Sequence, residues 1–407
     1  MVSTPSTGVP VAARPATLLL ILIASLSPLT MHIYLPSLPG LAADLQANDA
    51  EVQLTLSVYL FAVAVGQLVI GPLSDRFGRK PVLIAGMLLF LLATAFCRFA
   101  TSIDALIVGR AFQAIGGCTG MVLSRAIVRD VSDRNNAASM LGYVTMGMAI
   151  AQMMGPAIGG VLDGFYGWRA SFDLLFLTGL AVLIASLFSL RETNLNPQTS
   201  LSPRALWLSH VALAREPRLW AFASTTALAS AVFFAFLGGG PIISQREMGL
   251  TPIAYGLYFT LIAAGYAFGN FLSGRFSQRA GPPAMILYGN LLSLAAISSM
   301  ALMFAAGFIN PLALFGPMLL SSLANGLCLP SAFSGALSVR PDLAGTASGM
   351  TGSLQLAVGA LATVVVGSLL HLGIWPLVFI MLGLAIAALA AGIVSSRLEQ
   401  AAAKALD

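Results

Sequence analysis

The chain has 407 residues, of which 58% are hydrophobic and only 9% are charged. A soluble domain is about 45–50% apolar and ~25% charged, so this chain has too few charges to solvate the surface of a soluble enzyme of its length. With a mean hydropathy of +0.90, it is expected to be an integral membrane protein. A spanning helix needs ~20 apolar residues, and the length therefore allows roughly a dozen spans.

Apolar windows bounded by charged or turn residues predict twelve spans, and the longest polar stretch, 191–217, divides them six and six. The predicted spans are 16–40, 53–73, 80–100, 104–128, 137–162, 168–190, 218–243, 253–274, 282–304, 311–335, 344–370 and 374–395. We expect an all-α membrane fold of twelve helices in two six-helix halves, 1–190 and 218–407, joined by a cytoplasmic linker.

Lys and Arg are distributed asymmetrically over the predicted loops. With the N-terminus in the cytoplasm, sixteen of the 20 cations fall on the cytoplasmic side, three on the outer side, and Arg110 stays inside a span. Cytoplasmic loops are enriched in Lys and Arg, so both termini are predicted to be cytoplasmic. The net charge of +5 then reflects topology, and no nucleic-acid partner is expected.

The two predicted halves repeat a loop sequence. GPLSDRFG begins at Gly71 and GRFSQRAG begins at Gly274, so matching residues lie 203 positions apart. Duplicated halves around a central site are typical of transporters. The three Cys and three His residues are scattered, and no catalytic set, metal site or cofactor motif is recognisable. We therefore expect neither enzymatic activity nor a cofactor.

Six strings carry the strongest functional signal. The strings 71–81 (GPLSDRFGRKP), 110–116 (RAFQAIG) and 155–160 (GPAIGG) resemble motifs of the major facilitator superfamily. The segments 33–39 (IYLPSLP), 53–57 (QLTLS) and 344–349 (AGTASG) resemble its bicyclomycin/chloramphenicol resistance (Bcr/CflA) subfamily. The resemblance covers essentially the whole chain.

The resemblance implies a bacterial inner-membrane transporter that exports drug-like small molecules in exchange for protons by alternating access, and we expect a monomer. The span 5 string, with Gly155, Pro156, Gly159 and Gly160, is similar to a motif typical of antiporters in the superfamily. A proton-coupled metabolite uptake symporter is the alternative. A membrane-embedded sensor or enzyme is less favoured, because no segment is large enough for an output domain.

Arg110 is the strongest single residue. An Arg inside a span is energetically expensive and usually faces a polar cavity, although it can also snorkel to the membrane surface. Gln113, three residues on, shares its helix face and is placed to hold the guanidinium. The matching Arg of the superfamily serves proton coupling or substrate binding, so Arg110 is predicted to line the cavity.

His32 stands where the resembled subfamily usually has an acid implicated in coupling, and no Asp or Glu lies in the middle of a predicted span. Its predicted depth is similar to that of Arg110, and it is the candidate proton carrier. A neutral, hydrogen-bonded His is the alternative. Asp44 and Asp75 are the next candidates, or coupling is absent.

The loop after span 2 supplies candidate gating residues: Gly71, Asp75, Arg76, Gly78 and Arg79. It is predicted to be a tight turn bounded by Gly71 and Gly78. With Arg129 and Asp130, Asp75 and Arg79 are expected to form a charged cluster that latches one conformation, as in proteins the chain resembles. Solvated loop charge is the alternative. The span 5 motif is expected to let its helix bend and pack closely against a partner, and generic close packing is the alternative.

A substrate pocket should be apolar with a few polar groups. Candidates within the spans are Tyr34, Tyr59, Gln67, Gln152, Phe233, Asn270, Asn325 and Gln355. Packing between helices is an equally good account of any one of them. Without a fixed acid at mid-membrane, neutral, zwitterionic or anionic compounds are expected.

Overall fold

A computed structural model describes residues 15–131, 134–194, 203–340 and 343–404, which are helical apart from short turns. The helices are α1 Thr17–His32, α2 Leu38–Asp44, α3 Asp49–Phe77, α4 Arg79–Arg98, α5 Ile103–Val131, α6 Arg134–Tyr166, α7 Arg169–Ser189, α8 Pro203–Ala214, α9 Pro217–Arg246, α10 Pro252–Ala280, α11 Pro282–Ala305, α12 Pro311–Ser338, α13 Ala344–Leu369 and α14 Trp375–Lys404. Within these described ranges, twelve segments are long and apolar enough to cross a membrane, which confirms the predicted number.

The first span is broken near its far end. Helix α1 stops at His32, a single 3-10 turn covers Leu35–Ser37, and α2 completes the span. Pro36 lies in that turn and has no backbone N–H to donate, which favours an interruption there. The break leaves carbonyl groups free to bond other helices and places Tyr34 at the junction.

The predicted duplication is visible in the helices themselves. Both α3 and α10 have 29 residues, and each begins and ends 203 positions from the other. Side chains cap both starts, Asn48 on α3 and Thr251 on α10. Both ends are Gly residues in the left-handed region, Gly78 at φ 95° and Gly281 at φ 80°. The repeat therefore extends from sequence to backbone conformation.

Helix packing follows the same internal symmetry. In the first group, α1 packs on α5 and α6, and α5 packs on α3 and α4. In the second group, the equivalent helix α9 packs on α12 and α13, and α12 packs on α10 and α11. The two groups of six spanning helices meet through α3 with α13 and through α6 with α10, which are equivalent pairs. The fold class is confirmed.

The spans alternate in direction, which defines two ends of the bundle. The terminal end carries Thr17, the α3–α4 turn, and the α7 end; the opposite end carries the α2–α3 and α6–α7 turns. Helix α8 belongs to the connection between the groups, within the predicted linker 191–217. Gly71 lies inside α3, more than one turn before its end, so the prediction that it bounds the loop is wrong. The turn consists of Gly78 alone.

Candidate functional site

A cavity of about 270 Å³ lies between the two groups of helices, lined from α1, α3, α5, α6, α9, α10, α12 and α13. Its wall is aromatic and aliphatic with several amide and hydroxyl groups, the composition of a small-molecule site. His32 lines it. So do six of the eight predicted contact residues: Tyr59, Gln67, Gln152, Phe233, Asn325 and Gln355.

His32 lies on the cavity wall where α1 meets α6. Its Nδ1 is 2.8 Å from the carbonyl oxygen of Pro28, and its Nε2 is 3.1 Å from Nε2 of Gln152. Because a carbonyl oxygen only accepts, Nδ1 donates and the Gln152 amide donates to Nε2. The imidazole also stacks on Phe233, with centroids 6.2 Å apart. The arrangement is that of a neutral, hydrogen-bonded histidine.

Arg110 lies behind the cavity wall, so the prediction that it lines the cavity is wrong. Its guanidinium carbon is 4.2 Å from the ring centroids of both Tyr34 and Tyr59. Nη1 donates to Gln113 at 2.7 Å and to the Thr30 carbonyl at 3.3 Å. Two tyrosine rings therefore replace the expected polar cavity as the partners of this cation. A desolvated cation–π contact of this kind is worth about 2 kcal/mol or more.

Gln113 holds the guanidinium as predicted and also donates from Nε2 to Thr94 at 2.9 Å. The predictions that Tyr34 and Asn270 contact the cavity are wrong. Tyr34 is fully buried against the Arg110 guanidinium. Asn270 donates to a carbonyl of its own helix at 2.8 Å. Helix packing, the alternative account, explains Tyr34, whereas the Asn270 amide is bonded within α10.

The equal depth of His32 and Arg110 does not make them neighbours. Arg110 contacts the first span through Thr30 and Tyr34, which flank His32 by two residues on each side. Two residues rotate a helix position by about 200°, so His32 points away from that face. It faces α6 and α9 instead, through Gln152 and Phe233.

At the opposite end, contacts between the two groups of helices close the bundle. Arg246 of α9 forms a bidentate pair with Asp49 of α3, at 3.0 Å for each bond. Gln245 donates at 2.7 Å to the carbonyl of Pro36, which the break in the first span leaves free. Further in, the hydroxyls of Ser57 and Thr363 are hydrogen-bonded.

The span 5 motif packs α6 against two other helices. A Cβ at Gly159 would collide with the Ile33 carbonyl, and a Cβ at Gly160 would collide with the Pro252 carbonyl of α10. A Cβ at Gly155 would lie 3.1 Å from that of His32, and Pro156 presents its carbonyl to the glycine Gly256 of α10. The motif therefore joins α6 to the first span and to the other group of helices.

The predicted charged cluster forms at the terminal end around Arg79, which is only 8% exposed. Its Nη1 is 2.5 Å from Asp75, and its Nε is 2.9 Å from Asp130 of α5. Arg76 is exposed, with its guanidinium over Phe77. The side chain of Arg129 lies outside the described residues.

Glu192 is a member of this cluster that sequence reasoning missed. Its carboxylate accepts from the backbone N–H of Arg79 at 2.8 Å and of Lys80 at 3.0 Å, so it caps the start of α4. Asn194 donates to the Asp75 carbonyl at 2.9 Å. Because an anion is favoured at a helix N-terminus, the acid that follows α7 fixes the α3–α4 turn. Its position directly after a predicted span was the signal available.

Arg125 of α5 is the second missed residue. It is exposed and lines the cavity. It falls inside the predicted span 104–128, which is the signal that could have found it. The described residues that line the cavity include no Asp or Glu. The candidate acids lie elsewhere: Asp44 pairs with Arg169 at 2.5 Å at the opposite end, and Asp75 belongs to the Arg79 cluster.

Comparison with known proteins agrees with this geometry. Residues 20–363 match the sequence profile of the Major Facilitator Superfamily. The chain is 30% identical to multidrug resistance protein D of Escherichia coli (strain K12), covering 85% of this chain and 87% of the relative. It is 28% identical to a bicyclomycin resistance protein homolog of Haemophilus influenzae, covering 88% and 90%.

A solved structure shares the fold. The structure of a bacterial homolog to the human lysosomal transporter Spinster, in an inward-facing and occupied conformation, has a TM-score of 0.76 at 19% identity, covering 94% of this chain and 96% of the other. The profile match and the relatives agree with the twelve apolar helices. The chain is therefore a transporter, not an enzyme, and belongs to the major facilitator superfamily, among relatives of the bicyclomycin/chloramphenicol resistance type.

Proposed function

We propose that this transporter exports small drug-like molecules across the bacterial inner membrane in exchange for protons. The observation that carries the proposal is the cavity between the two groups of helices, bounded at the opposite end by the Arg246–Asp49 pair. With both termini in the cytoplasm, the cavity lies on the side from which an exporter loads its substrate. The names of the relatives, multidrug and bicyclomycin resistance proteins, support this class of substrate.

Transport proceeds by alternating access. The six-helix halves, 1–190 and 218–407, rock about the cavity within a monomer, and the linker 191–217 joins them. Contacts such as Ser57–Thr363 break at the opposite end as that end opens. The Arg79 cluster lies within the first half and stabilises it in the conformation closed at the opposite end.

His32 carries the coupled proton. It is the histidine on the cavity wall, and the described lining residues include no carboxylate. A second proton on Nε2 requires the Gln152 amide to turn its oxygen toward the ring, because two donors cannot face each other. A substrate that displaces Gln152 removes this acceptor and so disfavours the second proton on His32. Substrate and proton then compete, which is the requirement for exchange.

The test begins with a drug-susceptibility panel in a host that lacks its own pumps. A compound that the protein protects against is then followed in everted membrane vesicles whose interior is acidified. Export by exchange predicts accumulation inside the vesicles and release when the pH gradient is collapsed. An uptake symporter would instead move proton and substrate together out of these vesicles. Protection against no compound contradicts the drug-export proposal.

A second measurement addresses His32. In His32→Ala, substrate counterflow without a gradient should persist, while gradient-driven accumulation and its pH dependence are lost. Gln355→Ala is the matched control on the facing half, because Gln355 also lines the cavity and its hydrogen bond among the described residues is to Ser230, at 2.8 Å. An unchanged pH profile in His32→Ala removes His32 as the proton carrier.

A further inference from the structure

We propose that Arg125 binds an anionic group on the transported molecule, so that aromatic organic acids are preferred over cations. This inference rests on the proposed function only in taking the cavity as the substrate site. It assigns a specificity-determining residue and a chemical class to that site.

The first support is the charge balance of the cavity. Arg125 is exposed on the cavity wall, and no acidic side chain lies on that wall among the described residues. Among the described residues, ion pairs are formed by Arg79, Arg98, Arg169 and Arg246, and Arg125 forms none. The cavity therefore has a fixed positive charge without a countercharge among the described residues.

The second support is the chemistry of a guanidinium inside a span. Charged side chains in spans usually face a cavity, as Arg125 does, and such residues usually belong to a substrate or ion pathway. The low-dielectric walls of a cleft focus the field of its charges, so an incoming anion is attracted and an incoming cation is repelled. The planar fork of Arg125 matches a carboxylate with two parallel hydrogen bonds.

The third support is the aromatic wall beyond Arg125. Phe233, Phe234 and Phe259 line the deep part of the cavity. Phe233 stacks on His32 and makes a tilted contact with Phe259, and the ring centroids are 6.2 Å apart in each pair. Arg125 lies six residues from the end of α5, whereas Phe233 lies sixteen residues into α9. The helical rise places Phe233 roughly 15 Å deeper. A ligand with an aromatic body and an acidic end therefore satisfies both parts of the cavity.

Flexible side chains fit this ligand class to more than one aromatic body. The side of the cavity formed by the first group of helices carries four methionines, Met31, Met121, Met148 and Met153. Methionine adapts its shape and makes favourable contacts with aromatic rings. The charge on Arg125 then selects the ionic end, while the rest of the wall tolerates variation.

Arg125 near the terminal end has a second account, as one of the cations that set membrane topology. Lysine retains that charge but lacks the bidentate fork, so Arg125→Lys separates the two roles. Arg397, exposed near the end of α14, is the matched control because Arg397→Gln removes one positive charge at the same end.

The experiment measures equilibrium binding to the purified full-length protein in nanodiscs, with empty nanodiscs as background. The probes are dansylglycine, dansylglycinamide and dansyl-ethylenediamine, which share an aromatic body and differ as carboxylate, neutral amide and ammonium. Wild type and Arg397→Gln should bind dansylglycine most tightly. Arg125→Gln should weaken dansylglycine binding at least about tenfold and leave the amide unchanged, since hydrogen bonds to charged groups are the strong ones. The affinity of Arg125→Lys for dansylglycine should lie between those of the wild type and Arg125→Gln.

Two results would overturn the proposal. One is equal binding of the three probes, or no binding of any, by the wild type. The other is an equal loss of carboxylate and amide binding in Arg125→Gln that Arg125→Lys does not restore, with both variants monodisperse. The vesicle assay is independent of these results: a correct binding pattern without gradient-driven movement contradicts the proposed function and leaves the role of Arg125 intact.

Discussion

Asp49 and Arg246 join the two halves at the opposite end through two parallel hydrogen bonds of 3.0 Å. Asp49 is the first residue of α3 and Arg246 the last of α9, so this pair links a helix start to a helix end 197 residues away. Each charge also lies at the end of the helix dipole that favours it, the acid at an N-terminus and the base at a C-terminus. The pair is therefore suited to hold the opposite end closed and to yield when it opens.

The first prediction is that Asp49→Asn shifts the population toward the form open at the opposite end. Because Arg246 is 53% exposed, the pair contributes only up to about 1 kcal/mol, which is about a fivefold change in the ratio of the two forms. Thr101 and Phe308 are exposed in opposite-end loops of the two halves. The distance between spin labels at Thr101→Cys and Phe308→Cys therefore reports how far that end has opened.

The control for this prediction reverses both charges. Asp49→Arg combined with Arg246→Asp restores a pair across the same gap, although each charge then opposes its helix dipole, so the recovery should be partial. An unchanged distance distribution in Asp49→Asn would show that the other contacts at this end, such as Gln245 with Pro36, hold it without the ion pair.

The second prediction concerns Arg110. Arg110→Ala should abolish transport and lower the unfolding temperature, because it leaves a gap between the rings of Tyr34 and Tyr59 and frees the Gln113 amide. Arg110→Lys keeps the charge but cannot lie flat between two rings, so it should retain only part of the activity. Tyr59→Phe, which preserves the ring, is the matched control. Full resistance and full stability in Arg110→Ala would contradict this role.

The sequence predicts the span architecture well because hydropathy reports each helix separately. The number of spans and the Arg110–Gln113 hydrogen bond follow from local spacing, and the 203-residue repeat follows from comparing two distant strings. The side on which Arg110 lies does not, because its partners Tyr34 and Tyr59 come from two other helices. Burying a cation between two rings requires tertiary packing that periodicity does not encode.

Arg125 was missed for the complementary reason. Its charge fits the positive-inside pattern, and that pattern uses loop position, not helix face. Which face of α5 borders the cavity depends on how α5 packs against α3, α4 and α1. Glu192 likewise acts on α4 from beyond α7, and only the fold brings the two together.

The third prediction separates the two glycines that end the span 5 motif. Gly159→Ala should prevent correct folding, because its Cβ would overlap the Ile33 carbonyl within the first half. Gly160→Ala should fold but disfavour closure at the opposite end, since its Cβ meets the Pro252 carbonyl of the other half. The same spin-label pair should report a longer distance. Gly316→Ala, with open space around its Cβ, is the control. A Gly160→Ala protein that closes normally would refute the assigned contact.

The fourth prediction uses the two glycines of the string 71–81. Gly78 has φ 95° and ψ 153°, a region reserved for glycine, and a Cβ there would lie 2.6 Å from the Glu192 carboxylate. Gly78→Ala should therefore destabilise the protein by about 1–3 kcal/mol and loosen the Arg79 cluster. Gly71 lies in the interior of α3 with open space around it, so Gly71→Ala should raise stability by about 0.5–1 kcal/mol.

Thermal unfolding of the two purified variants in detergent checks the opposite signs of these effects. Glu192→Gln tests the mechanism, because it leaves Gly78 unstrained but weakens the anionic cap on α4, and it should reproduce only part of the Gly78→Ala loss. If Gly71→Ala were as damaging as Gly78→Ala, the interior of α3 rather than its end would carry the function of this string, and the turn at Gly78 would not be the element that positions Arg79.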